Sequence, residues 1–375
     1  MRIGIVCYPT YGGSGVVATE LGRHLARRGH RVHIMSFDRP FRLNDGAYQE
    51  NLFFHQIEVV GYPALKTECY TLAAAVKMAE LVREEGLEIL HSHYAVPHAV
   101  SAMLARQMTP GAKVRLVTTL HGTDITLVGS HPAYAQAVHL GLANSDAVVA
   151  VSHWLCRETT RRFNLDRTCQ VIHNFVDSGH FGRAKQPCPS FRDQFAKPDE
   201  KILLHLSNFR PVKRVEDVIR TFARIVGEIP AVLLMIGDGP DRERAMDTAR
   251  ALNVLDCVRF LGLQDNIAAF LSIGDLFLFP SEYESFGLAV LEAMASEVPV
   301  VCSDGGGLAE VMVDGETGYL CPVGATERMV ARALEILRDP DKARTMGRAG
   351  RARAESHFGP DRALDAHEHL YSSLL

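Results

Sequence analysis

The chain is poor in the features that usually betray a function at once. Its 375 residues include one tryptophan, eight cysteines with no C-x-x-C pair, and no charge excess worth the name. Each shortage excludes something. Without paired cysteines there is neither a ribbon-type metal site nor a dithiol redox motif. Cys7, Cys69, Cys156, Cys169, Cys188, Cys257, Cys302 and Cys321 read as reduced, mostly buried thiols of a cytoplasmic protein. Forty Lys and Arg against 44 Asp and Glu leave a net charge of −4, so no electrostatic footprint points to nucleic acid or an anionic membrane. No uninterrupted apolar stretch reaches the roughly 20 residues of a bilayer span. The opening "MRIGIVCYPTYGG" runs straight into a strand-like segment, without the apolar core and cleavage site of a signal peptide. Internal repeats and low-complexity tracts are missing too. Small-molecule partners are expected, and a homo-oligomer is compatible with everything so far.

What is present is a globular balance, 47% hydrophobic and 22% charged, in a length that suits about two domains. The first third alternates strand and helix. "RIGIVCY" suits a buried strand. Glycines 12, 13 and 15 follow, then a helix from about Val16 to Arg28 with Val17, Leu21 and Leu25 as its inner stripe and Gly29 as its stop. "RVHIMS", "EILHSHY", "RLVTTLHG" and "DAVVAVS" are further strands. From 177 to 200 the alternation lapses into a Gly-, Pro- and charge-rich stretch with the composition of a boundary loop. It restarts with "KILLHLS", a helix whose Val215, Val218, Ile219, Phe222, Ile225 and Val226 share one face, and then "AVLLMIG", "VRFLG", "DLFLF" and "VPVVCS". The pattern predicts an α/β protein of two doubly wound, Rossmann-like domains. Ligands of such sheets bind beyond the carboxyl ends of the strands, and with two domains the expected site is the cleft between them.

Several motifs sit at those ends. Gly13, Gly15 and Ala18 fit G-x-G-x-x-A with Asp38 downstream, which admits a dinucleotide reading. A glycine loop that lets a phosphate or sugar approach a helix N-terminus fits equally well. "SNFRPVKR" places Arg210, Lys213 and Arg214 after a strand, suited to phosphate. Cations at a helix start oppose its dipole, and an anionic ligand would relieve that conflict. In "SEYESFGLAVLEAMASEVPVV", Glu284 and Glu292 stand eight positions apart. The run from Phe286 to Ser296 reads as a helix apolar nearly all round, which predicts a buried Glu292. A buried carboxylate without donors costs roughly several kcal/mol, so Glu292 needs a sugar diol or an internal cation. Gly305, Gly306 and Gly307 form a second glycine-rich loop, a candidate anion nest. Among 17 histidines, His91 and His93 share one face of a strand end and His98 and His121 follow, with no carboxylate or cysteine at metal-ligand spacing. Polar residues satisfied at a cleft rim are the expected reading.

The E-S-F-G-L-A-V-L-E pattern, together with Arg210, Lys213 and the two glycine loops, resembles the retaining glycosyltransferases of the GT-B fold, and more narrowly glycosyltransferase family 4. The ordered set covers nearly the whole chain. The resemblance implies a GT-B architecture: residues 1–176 as the acceptor-binding domain with 358–375 crossing back to it, and 177–357 as the nucleotide-sugar domain. "CYPTYGGSGVVATELG", "HSHYAVPHA", "TTLHGTDIT", "NFVD" and "SNFRPVKRVEDVIR" are similar, within that family, to members that transfer N-acetylglucosamine from UDP-GlcNAc to the hydroxyl of L-malate, the first step of bacillithiol synthesis. By that resemblance Glu284 contacts the transferred sugar and Glu292 the ribose. Arg210 and Lys213 hold the diphosphate with help from the N–H groups of Gly13 and Gly307. Leu263 and Gln264 meet the uracil, and His121 sits by the sugar. Ser14, Tyr94, Thr118, Thr119 and Asn174 are implied on the malate side. Asn208 stands where many members carry an arginine, which makes Arg210 a substitute from two residues on. Charge logic adds Arg42 as a partner for malate. No cofactor and no metal is expected, since cations and glycine loops can supply the positive field. A related transferase using an inositol phosphate, a UDP-sugar epimerase, a dehydrogenase and a non-catalytic binder are the competing readings.

Overall fold

Short β-branched and aliphatic runs in both halves of the chain are buried on both faces, and each half assembles them into one parallel sheet. The computed structural model describes residues 1–9, 13–40, 43, 49–59, 69–165, 169–182 and 188–375. It divides into two units, Met1–Asn174 with Pro360–Leu375, and Phe175–Gly359.

The first unit holds β1 (Arg2–Val6), β2 (Arg31–Ser36), β3 (Leu52–Gln56), β4 (Ile89–His93), β5 (Arg115–Leu120), β6 (Ala147–Ala150) and β7 (Gln170–Val171). Their order is β3-β2-β1-β4-β5-β6-β7, and every pairing is parallel. The order reverses at β1/β4, so the loops after these strands flank a topological switch point. The first helix runs Ser14–Arg27, and Gly29 follows it at φ 87°. Val17, Leu21 and Leu25 are buried. The last helix, Pro360–Leu374, returns to this unit. Arg28 grips it by ion pairs to Asp361 (2.7 Å), Asp365 (2.6 Å) and Glu368 (2.7 Å).

The second unit holds β8 (Lys201–Leu206), β9 (Ala231–Ile236), β10 (Val258–Gly262), β11 (Leu276–Phe279), β12 (Val300–Ser303) and β13 (Gly318–Cys321), ordered β10-β9-β8-β11-β12-β13. The helix Val215–Val226 buries Val215, Val218, Ile219, Phe222 and Ile225 against Leu203, Leu233 and Met235. The stretch expected as a boundary loop is fastened to this unit. Arg192, in a 3-10 turn, donates to the carbonyls of Ile273 and Glu200 and pairs with Asp275 at 2.8 Å. No helix among the described residues is long and apolar enough to cross a membrane.

Candidate functional site

In the second unit five strand ends carry the polar groups. At the end of β8 a small network sets the backbone. His205 donates from Nδ1 to the Leu278 carbonyl (2.9 Å) and accepts at Nε2 from the Ser207 hydroxyl (2.8 Å). The Ser207 oxygen in turn accepts from the Phe209 N–H (3.3 Å). Burial holds His205 down to about 4, so it is neutral, and the charge of Lys213 pushes the same way. Phe209 is wholly buried at φ 37°, a left-handed conformation that the network and the core hold in place. The chain then makes a 3-10 turn, Pro211–Lys213, which presents Lys213. Its Nζ lies 2.5 Å from Glu284 Oε1 and 5.4 Å from the centre of the Phe279 ring. Both partners of this pair are largely enclosed, with side-chain exposures of 17% and 13%.

The expected clash of cations with the helix dipole is resolved inside the protein. Arg214, at φ 49°, pairs with Asp217 at 2.5 Å, and Glu216 and Asp217 occupy the first helical turn. Arg214 is therefore engaged. Arg210 is exposed; its carbonyl accepts the Lys213 N–H at 2.8 Å, and its guanidinium has no hydrogen bond or ion pair among the described residues. Asn208 is exposed beside it.

Two glycine turns are close-packed rather than open. A Cβ at Gly237 would meet the Ser207 carbonyl oxygen at 1.8 Å, so the Gly-Asp-Gly turn after β9 lies directly on the β8 end. A Cβ at Gly306, at φ 77°, would lie 2.2 Å from the Glu284 carbonyl oxygen. Glu284 forms a parallel bridge with Gly306, and the Gly307 N–H donates to the Glu284 carbonyl at 2.7 Å. This corrects the expectation for Gly307: its N–H positions the segment carrying Glu284 instead of facing an anion. Glu292 is also corrected. Its helix is Leu288–Ala295, shorter than expected because Phe286 is a buried core residue before a left-handed Gly287, and Glu292 is half-buried rather than enclosed. Leu263 is exposed, and Gln264 donates from its side chain to the Leu261 carbonyl (2.7 Å).

The first unit's strand ends are histidine- and tyrosine-rich. Gly13 precedes the first helix at φ 59°, and Ser14 is buried in its first turn. Tyr94, at φ 104°, hydrogen-bonds Thr123 at 2.7 Å, and its ring lies 5.6 Å from that of His121. His121 Nε2 is 2.9 Å from His93 Nδ1. Asp124 is buried and accepts the backbone N–H groups of Gly122 (2.8 Å), His121 (3.2 Å) and Ala95 (3.3 Å). Burial outweighs those bonds and lifts its carboxyl to about 6.

Three expectations fail here. His91 and His93 are not rim residues but wholly buried. The Thr119 hydroxyl is bonded to His91 Nε2 (2.7 Å), whose Nδ1 meets the Tyr371 hydroxyl (2.7 Å). Thr118 points to the opposite sheet face and bonds Ser145 (2.8 Å). Neither threonine offers a free hydroxyl, because successive residues of a strand face opposite ways and both faces of β5 are covered. Asn174 is buried at the end of the unit. Arg42 lies outside the described residues.

None of His205, Asp124 and Tyr371 was singled out for a role from the sequence. "HGTD" after a strand carries a signal for Asp124, since an Asp two or three residues past a turn can accept its N–H groups. Tyr371 has none, as its partner is 280 positions away.

Comparison with known proteins adds the following. Residues 11–180 match the model of Glycosyltransferase Family 4, and residues 189–353 that of Glycosyl transferases group 1. The chain is 44% identical over its full length to N-acetyl-alpha-D-glucosaminyl L-malate synthase of Bacillus anthracis, covering 97% of that protein. It is 29% identical to the D-inositol 3-phosphate glycosyltransferase of Segniliparus rotundus over 92% of this chain and 80% of the relative. Among solved structures, Anabaena HepE in complex with UDP and glucose superposes over both whole chains with a TM-score of 0.84 at 18% identity. Sucrose-phosphate synthase from Thermosynechococcus elongatus gives 0.82 at 22%, over 100% of this chain and 99% of that one.

Proposed function

This chain belongs to glycosyltransferase family 4 and has the GT-B fold, and from that premise we propose that it moves N-acetylglucosamine from UDP-GlcNAc to the hydroxyl of L-malate with retention of configuration. The observation that carries this reading is the likeness across the whole chain to the Bacillus anthracis enzyme. The chemistry of the two units supports it.

The donor belongs to the second unit. Lys213 and Arg210, whose guanidinium is unpaired among the described residues, take the diphosphate, with Asn208 beside them; Gly13 is carried as a further backbone donor on the family resemblance alone. Glu292 accepts from the ribose hydroxyls, since each carboxylate oxygen can take one donor of a vicinal diol. Backbone groups of Leu263 and Gln264 face the uracil. The Lys213–Glu284 pair is a charge held ready: once the diphosphate neutralises the lysine, Glu284 is released to accept from a sugar hydroxyl. Malate falls to Ser14, Tyr94 and Asn174 of the first unit. Arg42 keeps its place as a candidate on charge alone.

In the reaction the bond from the sugar's anomeric carbon to the β-phosphate oxygen breaks, and a bond from that carbon to the malate hydroxyl oxygen forms on the same face. The departing phosphate oxygen takes the hydroxyl proton, so no protein nucleophile is required. Negative charge grows on UDP, where Lys213 and Arg210 stabilise it more in the transition state than in the ground state. We propose that these cations replace a metal, so EDTA leaves turnover unchanged. Loss of activity that magnesium restores rejects that point. The protein is proposed to work in the cytoplasm. Mass spectrometry after incubation with UDP-GlcNAc and a panel of hydroxy acids and polyols tests the whole reading. A malate adduct of the aminosugar is expected. An inositol phosphate adduct transfers the chain to its other relatives, and free N-acetylmannosamine makes it an epimerase.

A further inference from the structure

The H-x-H spacing on β4 has no part in the transfer chemistry above, yet it puts two wholly buried imidazoles behind His121. The proton positions in this group can be derived from its partners. His98 Nδ1 lies 2.6 Å from the His93 carbonyl and His367 Nδ1 lies 2.8 Å from the Ala363 carbonyl. A carbonyl only accepts, so both rings carry their proton on Nδ1. The contact between His93 Nδ1 and His121 Nε2, at 2.9 Å, joins two ring nitrogens and needs one proton between them. His93 Nε2 decides its direction. It is buried and has no hydrogen-bond partner among the described residues. If His121 donated, a neutral His93 would carry its proton on Nε2, leaving a buried N–H with no acceptor. If His93 donates, Nε2 is only an unpaired lone pair, the less costly orphan. Donation from His93 also blocks protonation of His121, because a second proton on Nε2 would face the His93 N–H.

We propose that His93 is a positioning residue that fixes His121 as the neutral tautomer protonated on Nδ1. His121 then offers the site a hydrogen-bond donor and cannot carry a proton through the reaction. Burial works in the same direction, holding His93 well below the usual imidazole value and His121 down to about 3. His121 Nδ1 has no partner among the described residues. Resting on the transfer reading, its ligand is an acceptor oxygen of the transferred sugar, a ring hydroxyl or the acetamido carbonyl.

Long-range proton–nitrogen correlation spectra of protein labelled with 15N-histidine test the tautomer directly, with the His121 signal identified by its loss in His121→Gln. The expected signal has a protonated Nδ1 and a bare Nε2, unchanged from about pH 8 to about pH 5.5. A protonated Nε2, or a signal that titrates in that range, overturns the proposal. Kinetics test the role. The amide nitrogen of His93→Asn stands near the place of Nδ1 and keeps a donor, whereas His93→Leu removes it. His93→Leu is expected to lower kcat/KM about tenfold, the scale of one hydrogen bond, and His93→Asn to recover most of it. Equal losses in both variants reduce His93 to packing. The spectra do not depend on the substrate, so they can fail while transfer to malate stands, and the converse.

Discussion

The two units share a fold and differ in how they keep polar groups at their strand ends. In the first, the buried imidazoles are neutral, with Asp124 the buried carboxyl beside them. Burial lowers seven histidines there, at 33, 55, 91, 93, 98, 121 and 367, below their usual value. In the second, His205 is shifted in the same way, and the strand ends carry the partly exposed Lys213–Glu284 ion pair instead. Imidazoles can be buried cheaply because they can shed their charge, whereas a lysine and a glutamate must stay paired or near water. Neutral donors and acceptors suit the orientation of hydroxyls. An ion pair suits a substrate that arrives with a pyrophosphate and leaves with more charge than it brought.

Acid should break this comparison most visibly. A free imidazole titrates near 6.5, and the folded values lie below it. Between those limits the unfolded chain binds protons that the folded chain cannot, so stability falls as pH drops below 6.5. For His91, His93, His98 and His367, which are buried, the loss reaches at most about 5 kcal/mol at about pH 5.5. Asp124 works the other way. Its carboxyl is raised from 3.8 to about 6, so the folded state gains protons first and stability rises as pH falls through that window, offsetting about one histidine. Hydrogen exchange read by mass spectrometry should show the first unit opening at a pH where the second is still closed. Simultaneous opening would remove the distinction.

Next in size is the charge itself. Lys213→Ala should lower kcat by about 10²–10³, the usual cost of one preorganised donor at a developing anion. Removing the lysine leaves Glu284 without its partner, and adding Glu284→Gln should not restore the rate. The measurement is steady-state kinetics with UDP-GlcNAc and malate. A loss confined to KM would mean that Lys213 binds substrate and transition state alike.

Gly306→Ala should act on the same pair through the backbone. The new Cβ would stand 2.2 Å from the Glu284 carbonyl, at a φ of 77° that side chains resist. A cost of about 1–3 kcal/mol in thermal or denaturant unfolding is expected, with activity lost beyond the loss of folded protein. The same feature shows where reading a sequence stops. "RVHIMS" and "VRFLG" are strands to the residue, because apolar runs between turn signals leave few alternatives. β3 escaped notice: "LFFHQ" is a half-exposed edge strand without a continuous apolar run. β13 begins at a glycine at φ 151°. Lys213 and Glu284 stood out by motif, but that they touch, and that Gly307 holds the Glu284 backbone, are facts of pairing across more than 20 residues. Thr118 and Thr119 teach the same lesson. Strand alternation alone already forbade both from facing one ligand, and only the packing told which partners each had found.

The smallest effect tests the quiet end of the histidine unit. Tyr371 is wholly buried on the last helix, and its hydroxyl meets His91 at 2.7 Å, while His91 Nε2 meets Thr119. Tyr371→Phe removes one oxygen and leaves a neutral ring nitrogen unpaired, not a charge. The cost should be about 1 kcal/mol, a small shift in unfolding midpoint. Because the His91–Thr119 bond remains and His93 keeps its own contact with His121, kcat should change less than twofold. If the variant instead loses activity on the scale of Lys213→Ala, the buried imidazoles act as one wire to the site. The neutral unit would then be as much a part of the chemistry as the charged one.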